Sequence, residues 1–299
     1  MENTSITQVI LPIALFFIMF GIGLSLVVAD FLNVKSKPLA IVVGSLMQMV
    51  GLPVLGFSIV VLLKVPAEYA VGIMILTFAP GGATSNMVSY LCRADTALSV
   101  SLTIVASILT PFTLPLFSYM AVSHWLSLDA IITFPIVFTI LKLLGIALLP
   151  VLLGMWLNNK APWFSAKLQP IIRWCSLLFM VFVVVGIVAG NKAELSGILL
   201  EAGPAVVLLS LSAMLAGWWA GRLFNLPTQQ SLTLAIETGI QNAGLALMIT
   251  GVVLHNTEMS GVVLLYGVLM QIPAVLLIIR RHWQWKKSAM IDRMQHFTR

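Results

Sequence analysis

Two stretches of polar, flexible sequence interrupt otherwise apolar runs: Pro80-Gly81-Gly82-Ala83-Thr84-Ser85-Asn86 and Glu237-Thr238-Gly239-Ile240-Gln241-Asn242-Ala243-Gly244. Of the ten acidic residues, Glu237 alone lies far from the end of an apolar run while also sitting at an interruption. A carboxylate so placed is costly unless paired, and positions i+3 and i+4 hold Ile240 and Gln241, not Lys or Arg. A bound cation would supply the missing partner; a protonated structural carboxyl is the alternative. Hard monovalent cations take oxygen ligands. Gln241, Asn242, freed backbone carbonyls and, from the first interruption, Ser85 and Asn86 offer them.

A second polar set follows the first interruption. Asp95, Ser99, Thr103 and Ser107 recur every four residues and so share one helix face. Hydroxyls on such helices often do no more than bond the carbonyl four residues back, yet this stripe also extends the oxygen set of the first interruption. Gln48, deep in an apolar run, needs a buried partner, and Lys142 near the middle of another is read either as an anion contact or as a structural group. Catalytic constellations are missing. His124, His255, His282 and His296 fall in loops or the tail, and no HExxH, nucleophile elbow or GxxxxGK pattern occurs. The chain is therefore read as a non-enzyme without an ATP-driven engine or organic cofactor.

These residues must be positioned by membrane helices. The chain has 299 residues, 60% hydrophobic and 9% charged, with mean hydropathy +1.06. Soluble domains carry roughly a quarter charged residues, so lipid must wet this surface. Apolar runs cover about 8–30, 39–63, 69–91, 96–122, 130–157, 169–190, 196–221, 229–254 and 260–280, each near the ~20 residues that cross a bilayer. Met1 to Gln8 holds Glu2 and no Lys or Arg, which leaves a cleavable secretory signal without its basic start. Strands are not expected, because the runs are apolar throughout and do not alternate. Cys92 and Cys175 are read as free thiols.

Nine spans place the ends on opposite sides. With the N-terminus outside, Lys35, Lys37, Arg93, Lys160, Lys167, Arg173, Arg222, Arg280, Arg281, Lys286, Lys287, Arg293 and Arg299 are inside, against Lys64 and Lys192 outside. The positive-inside bias therefore predicts N-out, C-in. The scatter of these basic residues over short loops and a tail speaks against nucleic acid. Residues 1–281 form one transmembrane unit, with halves of about 8–122 and 130–280, and 282–299 form a basic cytoplasmic tail. The interruptions fall in the third and eighth spans, each the penultimate span of its half, which points to an inverted repeat with its site at the breaks. A pair of kinked packing helices is the alternative.

On Pro80-Gly81-Gly82 with Ser85-Asn86, Ala97-Leu98-Ser99-Val100 with Thr103, and Glu237-x-Gly239-x-Gln241-Asn242-x-Gly244, the chain resembles the bile acid:sodium symporter family, specifically its bacterial members. The resemblance implies an all-α integral membrane fold of about nine helices, with two broken helices that cross and a core domain moving against a panel. It implies a sodium-coupled symporter of a small organic anion, bile-acid-like or pantoate/ketopantoate-like, in the bacterial inner membrane. Proton coupling through Glu237 is the nearest rival, and an inner-membrane enzyme the more distant one.

One implied sodium site takes Ser85, Asn86, Ser99, Thr103 and Glu237. The second takes Gln48, Glu237 and Gln241 with the carbonyls of Thr238 and Ile240. Ala83, Thr84 and Asn242 would face the substrate. The chain departs from the family pattern in the order Ala83-Thr84, in Gln271-Ile272 where some relatives have His-Asn, and in lacking the first helix of ten-span members.

Overall fold

The computed structural model describes residues 2–27, 36–126, 134–190 and 192–297, and their side chains except those of 2–8, 83, 173, 176–177, 179–184, 186–190, 192–195 and 285–297. Of the residues used above, Met1, Lys35 and Arg299 lie outside the described residues, as do the side chains of Glu2, Gln8, Ala83, Arg173, Lys192, Lys286, Lys287, Arg293 and His296. Every regular element among the described residues is helical.

The helices in chain order are α1 (Glu2–Ser25), α2 (Pro38–Leu62), α3 (Ala67–Thr77), α4 (Ala83–Leu91), α5 (Thr96–Trp125), α6 (Ile136–Lys160), α7 (Pro162–Gly190), α8 (Lys192–Glu201), α9 (Gly203–Leu223) and α10 (Thr228–Gly239). They are followed by α11 (Ala243–Leu247, continuing as the π-helical Met248–Val253), α12 (Thr257–Leu269) and α13 (Gln271–Phe297). Among the described residues six helical stretches are long and apolar enough to cross a membrane, and two shorter apolar ones, Val9–Ser25 and Ala67–Thr77, accompany them.

The surface matches a membrane protein. Leu62, Val137, Leu200 and Leu223 are each more than two-thirds exposed, which no aqueous face of many such residues would tolerate. Most spans present a lipid-facing side, and only 28% of the apolar window of Pro38–Leu62 is buried. The stretch Thr228–Val253 is different, with 89% of its window buried. This broken span is central.

Helices α1, α6 and α7 pack against one another, while α2 to α5 and α8 to α13 form the rest, with α9 on α10 the most extensive pairing. Close approach rests on small residues, as expected where lipid supplies no hydrophobic drive between helices. A Cβ on Gly217 would lie 2.4 Å from Leu234 O, and one on Gly221 would lie 2.6 Å from Ser231 Cα. Gly217→Val is therefore expected to destabilise the α9–α10 pair by about 1–3 kcal/mol. Thermal unfolding of purified protein checks it, with Leu223→Val on the exposed face as the unaffected control.

The two broken helices have matching ends. Lys64 and Asn225 take the left-handed conformation, with φ 51° and 53°. Each is followed after one residue by a proline that caps the next helix, Pro66 at φ −51°, ψ 149° and Pro227 at φ −51°, ψ 150°. At the far ends Arg93 and His255 are left-handed, with φ 49° and 51°. There the side chains of Asp95 and Asn256 accept from Leu98 N at 3.1 Å and Met259 N at 2.9 Å to start α5 and α12. The same cap chemistry thus brackets α3–α4 and α10–α11.

Candidate functional site

Each break is made by its own residues. Pro80 has no backbone N–H to continue α3, and the chain is non-helical from Phe78 to Gly82 before α4 begins. On the other side Ile240 is extended, φ −110°, ψ 108°, and Asn242 restarts the helix as the cap of α11, its Oδ1 accepting from Leu245 N. The breaks meet directly, because Asn242 N donates to Ala79 O at 3.1 Å. Tyr266 Oη donates to Gly239 O at 3.2 Å and holds the end of α10. Unwound backbone at membrane depth persists where protein covers it and side chains or neighbouring chain take up its polar groups, and both conditions hold here.

Glu237 sits at this crossing, 1% exposed. Its Oε1 accepts from Ser99 Oγ, and Gln48 Nε2 lies 3.3 Å from Oε2 and 3.3 Å from Glu237 O. Gln48 belongs to a π-helical turn of α2, Met47–Gly51. Such turns re-aim side chains within a helix, and this one delivers an amide to the break of α10. Ser99 Oγ is also 2.7 Å from Asn86 Oδ1, to which Thr103 Oγ1 donates at 3.1 Å. One serine hydrogen cannot serve both Asn86 and Glu237, so oxygens outnumber the hydrogens between them. Ser85 is fully buried and its Oγ donates to Gly82 O at 2.7 Å.

Gln241 is the second anchor. Its Nε2 donates to Thr238 O at 2.7 Å, while its Oε1 is buried without a hydrogen-bond partner, as is Thr238 Oγ1. A buried acceptor left so is costly. A Cβ built on Gly81 would stand 2.8 Å from Glu237 Oε2, 2.9 Å from Ser85 Oγ and 3.0 Å from Ile240 O. Oxygens from both breaks thus share one gap that only the bare glycine leaves open. The atoms lining that gap are oxygens, and the single carboxylate among them contributes one negative charge. Among the described residues no three His, Cys, Asp or Glu cluster as a metal site. Zinc favours sulfur and nitrogen, and calcium sites gather several carboxylates. This donor set fits a hard monovalent cation better.

Of the expected residues, the structure brings Gln48, Ser85, Asn86, Ser99, Thr103, Glu237, Thr238, Ile240 and Gln241 together around the crossing. Asn242 lines a small neighbouring cavity, whereas Thr84 is exposed on α4 and absent from its lining. Asp95 departs from the stripe. It caps α5 and pairs with Lys37 at 2.6 Å, so it is structural. Lys142 Nζ rests over the Phe138 ring, 4.9 Å from its centroid. Sequence reasoning missed Gly81 as the opening between the breaks. It also missed Met19 and Ile22 of α1, Thr110 of α5 and Ala147 of α6 in the cavity wall. Thr110 lies three residues beyond Ser107, a visible signal. The α1 and α6 residues carry none, because only packing places them there.

Comparison with known proteins follows the same direction. The family model described as the Sodium Bile acid symporter family matches residues 12–198. An uncharacterized sodium-dependent transporter of Bacillus subtilis (strain 168) is 30% identical over 230 residues, covering 76% of this chain and 69% of that protein. A probable chloroplastic sodium/metabolite cotransporter of Arabidopsis thaliana is 30% identical over 237 residues, 77% of this chain but only 56% of that longer protein. The human ileal sodium/bile acid cotransporter is 29% identical over 245 residues, 80% of this chain and 68% of its own length.

Proposed function

The chain belongs to the sodium bile acid symporter family, and from that premise we propose that it is a sodium-coupled symporter of a small organic anion working by alternating access. The observation that carries this reading is Glu237, a fully buried carboxylate amid oxygens contributed by both broken helices. One sodium ion is held by Ser85, Asn86, Ser99, Thr103 and Glu237. A second is held by Gln48, Glu237, Gln241 and the carbonyls of Thr238 and Ile240, with the Gln241 amide turning its unpartnered oxygen to the ion. Sodium is carried, not resident.

The anion binds beside the ions, in the cavity that Asn242, Pro80, Gly81 and Gly82 share. The cavity is narrow and partly closed by apolar side chains, which favours a small acid over a steroid. The matched caps of α3–α4 and α10–α11 support an inverted repeat of two halves within nine spans. In this reading α1, α6 and α7 are the panel and the remaining spans the core, and the chain sits in a bacterial inner membrane, N-out and C-in, with 282–299 cytoplasmic.

Purified protein in liposomes tests this. An inward sodium gradient is expected to drive uptake of small carboxylates, and an inside-negative potential to accelerate it, since two sodium ions per monoanion move net charge. Uptake that follows a proton gradient and ignores sodium would overturn sodium coupling and leave Glu237 as a proton carrier.

Asn242 separates substrate from ion. Its Oδ1 is used as the cap of α11, which leaves the side-chain N–H₂ as the donor facing the cavity. Asn242→Ala is expected to raise the half-saturating substrate concentration about ten- to a hundred-fold, the worth of one hydrogen bond to a charged group, with sodium binding preserved. Asn242→Asp keeps the cap acceptor but places a negative charge against the anion, so it should bind sodium, stay folded and take up nothing. Parallel sodium and substrate titrations check both variants.

A further inference from the structure

A helix that stops inside the protein leaves its last carbonyls without partners of its own, and those of α10 meet different fates. Ile236 O accepts from Ile240 N at 2.9 Å, which closes the last turn. Glu237 O and Thr238 O face side-chain amides, Gln48 Nε2 at 3.3 Å and Gln241 Nε2 at 2.7 Å. Gly239 O accepts from the hydroxyl of Tyr266, on α12, at 3.2 Å. Ile240 O borders the gap beside Gly81, 3.0 Å from where a Cβ on that glycine would stand.

Tyr266 is the bulkiest fully buried side chain among the described residues. Its ring fills space, and its hydroxyl adds direction. Residue 239 has to be glycine, because a Cβ there would lie 2.0 Å from Met214 Cγ on α9. Glycine restrains its backbone least, so the peptide that joins Gly239 to Ile240 must be held from outside. Its N–H is held by Ile236 O and its carbonyl by Tyr266. Ile240 itself is extended, φ −110°, ψ 108°. The pleat of an extended residue turns the carbonyls before and after it to opposite sides of the chain. Gly239 O aimed at α12 therefore sends Ile240 O the other way, towards Gly81, Glu237 Oε2 and Ser85 Oγ.

From this geometry we propose that Tyr266 is a positioning residue for the cation site: its hydroxyl, without touching the ion, aims the Ile240 carbonyl into the gap at Gly81. The proposal rests on the transporter reading above and adds to it a residue outside the ion's own ligands. Removing the hydroxyl leaves Gly239 O buried without its donor, which is costly. The peptide then turns about its remaining bond to Ile236 O, and Ile240 O leaves the gap with it.

The test uses the full-length protein and the variant Tyr266→Phe, which keeps the ring and loses one oxygen. Ser260→Ala is the control. It also removes a buried hydroxyl of α12, one that donates to Thr250 Oγ1 at 3.0 Å, away from the crossing. Thermal unfolding in detergent is followed across a sodium titration, with choline keeping the ionic strength constant. Tyr266→Phe is expected to raise the half-saturating sodium concentration about three- to tenfold. In proteoliposomes the same shift should appear in the sodium dependence of uptake, with the maximal rate at saturating sodium close to wild type. Ser260→Ala should lower the unfolding temperature with and without sodium alike and leave half-saturation unmoved.

A merely structural hydroxyl would make Tyr266→Phe behave like Ser260→Ala, and that result overturns the proposal. So does a Tyr266→Phe protein that fails to fold, since the hydroxyl then serves stability. If sodium does not stabilise the wild type at all, the transporter reading falls and takes this inference with it. Sodium binding that is equal in wild type and Tyr266→Phe removes the inference alone.

Discussion

Glu237→Ala is expected to abolish sodium-dependent uptake and sodium-dependent thermal stabilisation while the protein still folds. The carboxylate is buried, and its near neighbours are oxygens from Ser99, Ser85 and the chain at Ile240. Attraction between unit charges about 4 Å apart at an effective dielectric of about 20 is about 4 kcal/mol, on the order of a thousandfold in affinity. Glu237→Gln keeps the size and one acceptor oxygen but removes the charge, so it should lose most of that factor. Folding survives in Glu237→Gln because a neutral amide is cheaper to bury than an unpaired carboxylate. Sodium titration of the purified variants decides the matter. An unchanged sodium affinity in Glu237→Gln would show that the carboxylate holds no ion.

The second large effect is expected from a single methyl group. None of the described glycines has a positive φ, so alanine at Gly81 carries no backbone penalty and acts only by volume. Its Cβ would come within 3.0 Å of Glu237 Oε2, Ser85 Oγ and Ile240 O together, closer than carbon and oxygen normally approach. Those oxygens must move apart or the methyl must displace what they hold. Overpacking of this kind costs about 1–3 kcal/mol, so sodium affinity should fall about ten- to a hundred-fold in Gly81→Ala. Gly82→Ala is the internal comparison. Its Cβ would meet the Asn242 amide at 3.3 Å, a side chain that can shift, so this variant should retain sodium and lose substrate affinity. If both alanines have the same effect on sodium, the gap at Gly81 is not where the ion sits.

The two glycines stand next to each other in sequence and nothing in their type distinguishes them. What separates their roles is the neighbour each one faces: Glu237 across the crossing for Gly81, Asn242 for Gly82. The α5 stripe shows the same point. Asp95, Ser99, Thr103 and Ser107 are equally spaced, and spacing alone makes them one set. In the structure Asp95 leaves the set because Lys37 and the N–H of Leu98 occupy its oxygens. Ser99 and Thr103 turn to Asn86, and Ser107 turns to the cavity.

The sequence by itself determined that this chain is a helical membrane protein whose chemistry lies at two interrupted runs. Hydropathy sums locally along the chain, and the cost of placing Glu237 or Gln48 in such surroundings follows from residue type alone. Only the tertiary structure decided that Ala79 O meets Asn242 N, that Gln48 reaches Glu237 from 189 residues away, and that Met19 and Ile22 close the cavity. Those contacts join segments that share no sequence pattern. Their geometry is set by which small residues let helices approach and where each helix breaks, and that is fixed only when all the helices pack at once.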